Sequence, residues 1–263
     1  MNKNDYALMI LGCDKNFELI HMFLRNLKKY WPEYKKDVYI NVESSRMTSK
    51  DFNLIYPTMI CDINTPWAER LYEFLKEYPY DYVVFILDDF IFSDFVDNTE
   101  LNRVHNIMKK HPEIACFNFM ETYKDAEDSI KEAYDRYYLK DSKAEFRINL
   151  QAAIWRKSFL MKFIRKHENP WQFETWGSIR ARRYKDEVYH IKKNAPHVFI
   201  YPEGGVFADG KWYEQKTIDF LNKEGFDVDI SKRGVYHVGD SRKTEIKKRS
   251  FFQKVWEVFR SLI

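Results

Sequence analysis

The sequence predicts an α/β fold with a mixed, mainly parallel sheet flanked by helices. The first observation behind this prediction is Tyr82–Leu87, six apolar or aromatic residues that lead directly into Asp88 and Asp89. A short apolar run without alternation is typical of a central strand that is covered on both faces. The second observation is that strand-like and helix-like segments alternate along the chain, which favours parallel pairing through right-handed crossovers.

Each element in the first half follows from the spacing of its apolar residues. The predicted elements, in chain order, are a strand over 6–11, a helix over 16–30, strands over 37–42 and 58–61, a helix over 67–78, the strand that ends at the aspartates, a helix from 97 to about 110, and a strand over 114–120. The first strand, the turn at Gly12 and the first helix form a β-turn-α opening.

The second half begins with a charged, tyrosine-rich segment over 121–147, which predicts either a solvated helix or a mobile flap. A charged surface helix without a functional role is the simpler interpretation. The residues that follow predict a strand over 148–155 and a helix over 157–166. There are no internal repeats and no low-complexity linkers.

Composition restricts the class of protein. A chain of 263 residues forms one large domain or two intimately packed halves. The net charge of +3, from 43 basic and 40 acidic residues, is too balanced for a dedicated nucleic-acid binder. Cys13, Cys61 and Cys116 are scattered and are expected to be reduced and structural. Because Ala7–Leu11 is too short for a secretory leader or a membrane span, we expect a cytoplasmic protein.

Asp88 and Asp89 are the strongest candidates for a functional site. In open α/β sheets, ligands bind beyond the carboxyl ends of the strands. Two carboxylates at that edge suit Mg²⁺ or Mn²⁺, which usually carries a phosphate group in proteins. The alternative is that the two aspartates merely begin a polar turn.

Glu174 is the second candidate. Asn169 is a good N-cap, Pro170 suits the first helical position and Gln172 completes a capping box, so a helix is predicted to begin here. Glu174 then shares a helix face with Trp171. An apolar wall raises a carboxylate pKa towards the range of a general base, and an indole suits the apolar side of a sugar ring. Alternatively, Glu174 only complements the helix dipole and the tryptophans pack in the core.

Together these segments resemble a GT-A type glycosyltransferase, over most of the chain up to about residue 240. Leu87-Asp88-Asp89 looks like the DXD-type metal site, and the stretches over 150–160 and 168–174 are similar to a pairing found in bacterial surface-polysaccharide transferases. The sequence departs from the DXD form because position 87 is leucine and the acids are adjacent. Since side chains alternate across a strand, the two aspartates converge on one cation only if the chain turns there.

The resemblance implies a Rossmann-like sheet and a metal-dependent glycosyltransferase that uses Mn²⁺ or Mg²⁺. It would move a sugar from a nucleotide-diphosphate donor, with a UDP-sugar favoured, to a glycan or lipid-linked acceptor in surface polysaccharide synthesis. Residues 1–112 would form the nucleotide-sugar-binding half and residues 113–240 the acceptor and catalytic half. Inversion is expected over retention, with Glu174 as the base.

The resemblance also assigns roles to individual residues. These are donor binding by Gly12, Glu43, Asp62, Arg70 and Asp88, acceptor binding by Gln151, Trp171 and Trp176, catalysis by Glu174, and metal binding by Asp89, Asp88 and His237. Turn chemistry or surface charge is the alternative for the first four donor residues, and packing is the alternative for the lone histidine. The sequence contains no G-x-G-x-x-G or P-loop pattern, which argues against dinucleotide oxidoreductases and P-loop kinases.

The tail over 241–263 is predicted to be a basic amphipathic helix. Between Arg242 and Arg260 there are seven basic and two acidic residues, and apolar residues recur at helical spacing. Such a helix over 247–263 suits an anionic membrane surface, so the protein is expected at the inner face of the membrane. Packing on the domain or on a partner chain is the alternative. A nucleotidyltransferase and a noncatalytic glycan-binding or scaffold protein remain alternative functions.

Overall fold

A computed structural model describes residues 2–120, 131–239 and 251–262 of the chain. The strands are β1 (Tyr6–Leu11), β2 (Val38–Asn41), β3 (Leu54–Ile55), β4 (Tyr82–Leu87), β5 (Ile114–Asn118), β6 (Lys131–Tyr134), β7 (Tyr137–Leu139), β8 (Ala153–Arg156), β9 (Glu187–Ile191), β10 (Phe207–Ala208), β11 (Lys211–Tyr213) and β12 (Val235–Tyr236). The helices are α1 (Glu18–Tyr30), α2 (Trp67–Glu77), α3 (Asn98–Lys110), α4 (Lys157–Phe163), α5 (Pro170–Ala181), α6 (Glu214–Lys223), α7 (Ile230–Arg233) and α8 (Phe251–Leu262).

Within the described residues, nine strands form the main sheet in the order β3-β2-β1-β4-β8-β5-β9-β7-β6. β3, β2, β1 and β4 are parallel, as are β5 and β9, whereas β8 is antiparallel to both of its neighbours. Leu11 lies opposite both Asn41 and Leu87, so β1, β2 and β4 end level with one another. The predicted mixed α/β sheet with flanking helices is confirmed.

The central strands are buried on both faces. Leu8, Ile10 and Ile86 belong to the core that packs against α1 and α3. Met9 and Phe85 point to the other face, where they join the core that includes α2 and α4. Because successive side chains alternate across a strand, a strand covered on both sides must be apolar throughout, which explains the unbroken run before the aspartates.

Helix α5 begins as the sequence predicts. Asn169 Oδ1 accepts the Gln172 amide at 2.9 Å, and Gln172 Oε1 accepts the Asn169 amide at 3.0 Å, which completes the capping box. Further along the helix, the buried Arg180 forms a bidentate ion pair with the buried Glu168 at 2.6 and 2.8 Å. Arg180 also donates to the carbonyls of Phe163 and Ser261, so one guanidinium fixes α5 to α4 and α8.

Two predicted strands have different boundaries. The third strand is Leu54–Ile55 rather than 58–61, because Leu54 pairs with Val38 while Thr58 instead bonds Glu77 through its amide and hydroxyl. The strand predicted over 148–155 is confined to β8. Its partner β5 ends at Asn118, opposite Ala153, and β4 pairs with β8 only as far as Phe85, so the residues before Ala153 lie outside the strand.

The prediction of a surface helix within 121–147 is wrong for residues 131–139. These residues form the hairpin of β6 and β7, in which Tyr134 pairs with Tyr137 across Asp135 and Arg136. Tyr137 is fully buried and lies opposite Ile191 of β9, so the tyrosines, which favour strands, outweigh the helical charge pattern. Residues 121–130 lie outside the described residues.

The C-terminal helix is present as α8, and it packs against α5. Ser261 is buried, and its hydroxyl lies 3.0 Å from His167 Nε2. On the outer side, the rings of Trp256 and Phe259 stack with centroids 5.9 Å apart, and these side chains are 59% and 54% exposed. Residues 240–250 of the predicted tail are outside the described part. None of the helices in the described part combines the length and apolar character that crossing a bilayer requires.

A second, three-stranded sheet of β10, β11 and β12 lies beside the main sheet together with α6 and α7. Arg233 of α7 bonds Asn16 Oδ1 and the Lys15 carbonyl, at 3.0 and 2.8 Å, and so anchors this unit beside the start of α1. The backbone amide of Val206 donates to the Asp89 carbonyl at 3.0 Å. The small sheet is therefore attached to the end of β4.

Candidate active site

A cleft of about 570 Å³ opens where β1, β2 and β4 end. Its lining residues come from the loop after β1, the loop before α2, the end of β4, the segment before β8, the first turn of α5 and the β10–β11 hairpin. Eight of the predicted site residues line it: Gly12, Glu43, Arg70, Asp88, Asp89, Gln151, Trp171 and Glu174. Residues separated by up to 162 positions therefore share one cleft, since 174 − 12 = 162.

Asp88 and Asp89 are carboxylates without compensation. Asp88 Oδ2 and Asp89 Oδ1 are buried and have no hydrogen-bond partner. Within the described part of the chain, neither aspartate forms an ion pair. Burial raises the pKa of Asp89 to about 7, and burial together with the neighbouring Asp89 charge raises the pKa of Asp88 well above its ordinary value. Such groups are stable as anions only with a cation nearby.

These two residues fit a divalent cation. Mg²⁺ and Mn²⁺ prefer carboxylate oxygens, and the two buried oxygen atoms without partners are ligands of that type. Among the described residues, no group of three or more His, Cys, Asp or Glu side chains is arranged for a metal.

Gly12 permits a close approach between β1 and the aspartates. A Cβ atom at this position would lie 2.8 Å from Asp88 Oδ2 and 3.2 Å from Ile20 Cδ1. The Asp88 amide donates to the Leu11 carbonyl at 3.1 Å, which continues the pairing of β4 with β1 past the strand end. Any side chain at Gly12 would therefore displace the Asp88 carboxylate.

Arg70 and Glu43 form a largely buried ion pair in the cleft. Arg70 is 2% exposed, its Nη1 contacts Glu43 Oε1, and its Nη2 donates to the Gly12 carbonyl at 3.0 Å. The other Glu43 oxygen accepts the Asp14 amide at 2.6 Å. This pair holds the β1 and β2 loops together, and the expected contact of Arg70 with a diphosphate stays a prediction.

Glu174 faces the cleft from the first turns of α5. Its Oε1 accepts the Leu150 amide at 2.8 Å, which ties the carboxylate to the segment before β8. Burial raises the pKa of Glu174, as expected for a carboxylate prepared to take a proton. Trp171, three residues earlier, is 69% exposed at the rim, so it does not pack in the core.

Three predicted site residues are not among those that line the cleft. Asp62 is exposed and accepts the amides of Asn64 and Thr65, the turn chemistry that was the alternative for this residue. Trp176 is half-buried elsewhere on α5, and His237 is exposed just after β12. Their roles in binding acceptor and metal stay predictions.

The sequence prediction missed the hairpin from Phe207 to Trp212. Ala208 pairs with Lys211 across Asp209 and Gly210, whose φ angles of 51° and 75° fit a two-residue hairpin turn. Residues Phe207–Gly210 line the cleft. The Asp-Gly pair between short apolar runs was the available sequence signal.

Comparison with solved structures supports the fold. Residues 1–349 of S. aureus TarS match with a TM-score of 0.50 and 12% identity, over 74% of this chain and 60% of that one. A CMP:2-keto-3-deoxy-manno-octonic acid synthetase complexed with CTP matches with a TM-score of 0.47 and 12% identity, over 84% of this chain and 100% of that one. A cytidylyltransferase from Leptospira borgpetersenii matches with a TM-score of 0.43 and 10% identity, over 75% and 82%.

This chain therefore spans about 60% of the length of the TarS structure. No protein-family model matches the sequence, and neither does any curated protein. The predicted GT-A-like fold is confirmed.

The acid pair predicts a pH-dependent stability in the absence of divalent cations. The folded-state pKa of Asp89 is raised from 3.8 to about 7, so protonation of this carboxyl group stabilises the folded state. That stabilisation is fully present below about pH 4 and is lost as the pH rises through about 7. We expect the thermal midpoint in EDTA to fall by several degrees between about pH 5 and pH 8. In Asp89→Asn the fall should be smaller, since the amide does not titrate. Equal slopes in the two proteins would contradict the burial of an uncompensated carboxylate.

Proposed function

We propose that this protein is a metal-dependent glycosyltransferase that moves a sugar from a nucleotide-diphosphate donor to an acceptor hydroxyl. The observation that carries the proposal is that Asp88 and Asp89 share one cleft with Glu174, a half-buried carboxylate of raised pKa, and with the exposed indole of Trp171. The acid pair suits a cation bound to a diphosphate, and Glu174 suits proton removal. The two tasks of glycosyl transfer are thus divided between two walls of the cleft.

Donor binding is assigned to the wall formed by the ends of β1, β2 and β4. Asp89, with Asp88, would hold Mn²⁺ or Mg²⁺, which supplies charge neutralisation for the departing diphosphate. Gly12 lets the backbone after β1 lie close to the Asp88 carboxylate, and the Glu43–Arg70 pair fixes the loops around it. We favour a UDP-sugar as donor.

Catalysis is assigned to Glu174. The acceptor hydroxyl attacks the anomeric carbon from the side opposite the diphosphate, and Glu174 removes its proton as the new bond forms, which gives inversion. The Leu150 amide holds the carboxylate in place through one oxygen and leaves the other for the hydroxyl. Burial raises the pKa of Glu174, and a raised pKa makes the carboxylate a stronger general base.

Acceptor binding is assigned to the exposed rim around Trp171 and Gln151. Ile63, 85% exposed, lines the same cleft as Trp171. An apolar rim beside the base suits an acceptor that presents a sugar ring or a lipid, and we infer a lipid-linked glycan of surface polysaccharide synthesis. The outer face of α8, with Trp256 and Phe259 exposed and with several basic residues preceding the helix in the sequence, would place the enzyme on an anionic membrane where that acceptor lies.

Donor binding and metal binding can be tested together. Calorimetric titration of UDP, GDP and the mononucleotides should give binding of UDP that depends on Mn²⁺ and weakens at least about tenfold in Asp89→Ala, because the cation loses a ligand. Asp94→Ala changes an exposed aspartate in the loop after β4 and should bind like the unmodified protein. Binding of UDP that is indifferent to both Mn²⁺ and Asp89→Ala would contradict the proposal.

Glu174→Gln separates catalysis from binding. We expect turnover of UDP-sugars, followed as UDP release, to fall by about 10² to 10⁴-fold, while Mn²⁺-dependent UDP binding stays within about twofold. The exposed Glu33→Gln serves as the matched control. Retained turnover in Glu174→Gln would remove the general base from the mechanism. Synthesis of a sugar nucleotide from UTP or CTP and a sugar phosphate would instead support the nucleotidyltransferase alternative.

Membrane contact is tested by the double variant Trp256→Ser, Phe259→Ser. The unmodified chain should sediment with vesicles of equal parts phosphatidylglycerol and phosphatidylcholine, and the variant should do so several-fold less, since it loses buried apolar area. Phe95→Ser removes an exposed aromatic side chain from the loop after β4 and should sediment normally. Equal binding by the double variant, or none by the unmodified chain, would contradict membrane contact through α8.

A further inference from the structure

The end of β4 is clamped by the segment that leads into the small sheet. The rings of Phe90 and Tyr201 stack with centroids 4.3 Å apart and an angle of 8° between their planes. The Val206 amide donates to the Asp89 carbonyl at 3.0 Å. Between these two contacts, Gly205 lies directly against the Asp89 side chain. The segment from Tyr201 to Val206 thus makes three contacts at the end of β4, two of them with Asp89, the residue that would hold the cation.

Gly205 leaves no room for a side chain. A Cβ atom built on it would lie 2.8 Å from Asp89 Cγ and 3.3 Å from the Asp89 carbonyl oxygen, and it would overlap the Oδ2 atom. Its φ of 78° is in the left-handed region, where other residues are strained. The missing side chain is therefore required both by the backbone angle and by the neighbouring carboxylate.

We propose that Gly205 is a positioning residue that sets the orientation of the Asp89 carboxylate for the cation. This inference rests on the proposed function, in which Asp89 binds the metal. The Asp89 side chain rotates about its χ angles at low cost, whereas the backbone around Gly205 is held by the Val206 bond and by the Gly205 amide, which donates to the Pro202 carbonyl at 2.9 Å. A methyl group at position 205 would therefore displace the carboxylate rather than the loop.

The same segment connects the acid pair to the opposite wall of the cleft. Val206 continues into β10 and the Asp209–Gly210 turn, and residues 207–210 line the cleft. Gly205 thus lies at the junction between the carboxylate that would hold the metal and the hairpin that faces it. Through Gly205, the contact between the small sheet and the main sheet would therefore influence how Asp89 binds a cation.

Gly204 provides a matched control. It has nearly the same backbone angle, with a φ of 81°, so alanine at 204 or 205 carries similar backbone strain. A Cβ atom at 204 would meet only the ring of Tyr213, at 3.3 Å. The difference between Gly204→Ala and Gly205→Ala therefore isolates the contact with Asp89.

The test is the affinity for Mn²⁺ in the presence of UDP, measured by electron paramagnetic resonance of free Mn²⁺. We expect Gly205→Ala to bind Mn²⁺ at least about tenfold more weakly than the unmodified chain, and Gly204→Ala to stay within about twofold. Equal affinities of the two alanine variants would overturn the role of Gly205 while leaving the proposed function intact. Absence of Mn²⁺ binding by the unmodified chain would overturn both.

A thermal double-mutant cycle provides a second readout that does not depend on metal binding. In an Asp89→Ala background the methyl group introduced by Gly205→Ala has room, so this substitution should then lower the thermal midpoint no more than Gly204→Ala does. In the unmodified background, Gly205→Ala should lower it further, because the methyl group forces the buried Asp89 carboxylate out of its position. Strictly additive effects of Gly205→Ala and Asp89→Ala would overturn the proposed contact.

Discussion

The site depends on two carboxylates that a buried strand carries to the edge of the sheet without compensating for their charge. Asp88 and Asp89 each keep a buried oxygen that has no partner, and the glycines at 12 and 205 allow the surrounding backbone to approach both side chains. An isolated buried charge is costly, so an apoprotein avoids it by holding a proton. The fold therefore bears a local cost that a bound cation would offset.

The Glu43–Arg70 pair provides the contrast within the same cleft. Here a carboxylate and a guanidinium compensate each other, and the remaining Glu43 oxygen is satisfied by the Asp14 amide. A compensated pair fixes loops without a ligand, whereas the charge of two buried carboxylates is removed by a proton or balanced by a cation. Charge compensation thus separates the acids that shape the cleft from those available for chemistry, although all of them line it.

The sequence contains the parts of the site that have a local signature. The apolar run before Asp88 and the capping box before Glu174 each mark one position along the chain, and both residues lie in the cleft. The sequence does not show which distant segments lie close together in the fold. The packing of Gly205 against Asp89 has no local pattern, and the strand over 131–134 was hidden because its charges suit a helix while its tertiary pairing favours a strand.

The antiparallel orientation of β8 determines which wall of the cleft can vary in sequence without disturbing the sheet. Ala153 lies opposite both Phe85 and Asn118, so the segment that precedes β8 reaches the edge of the sheet at which the parallel strands end. Insertions or deletions just before residue 150 would therefore change the wall that carries Gln151 without altering the length of any strand. A lineage could therefore remodel one wall of the cleft through a single loop while the acid pair at the end of β4 stays unchanged.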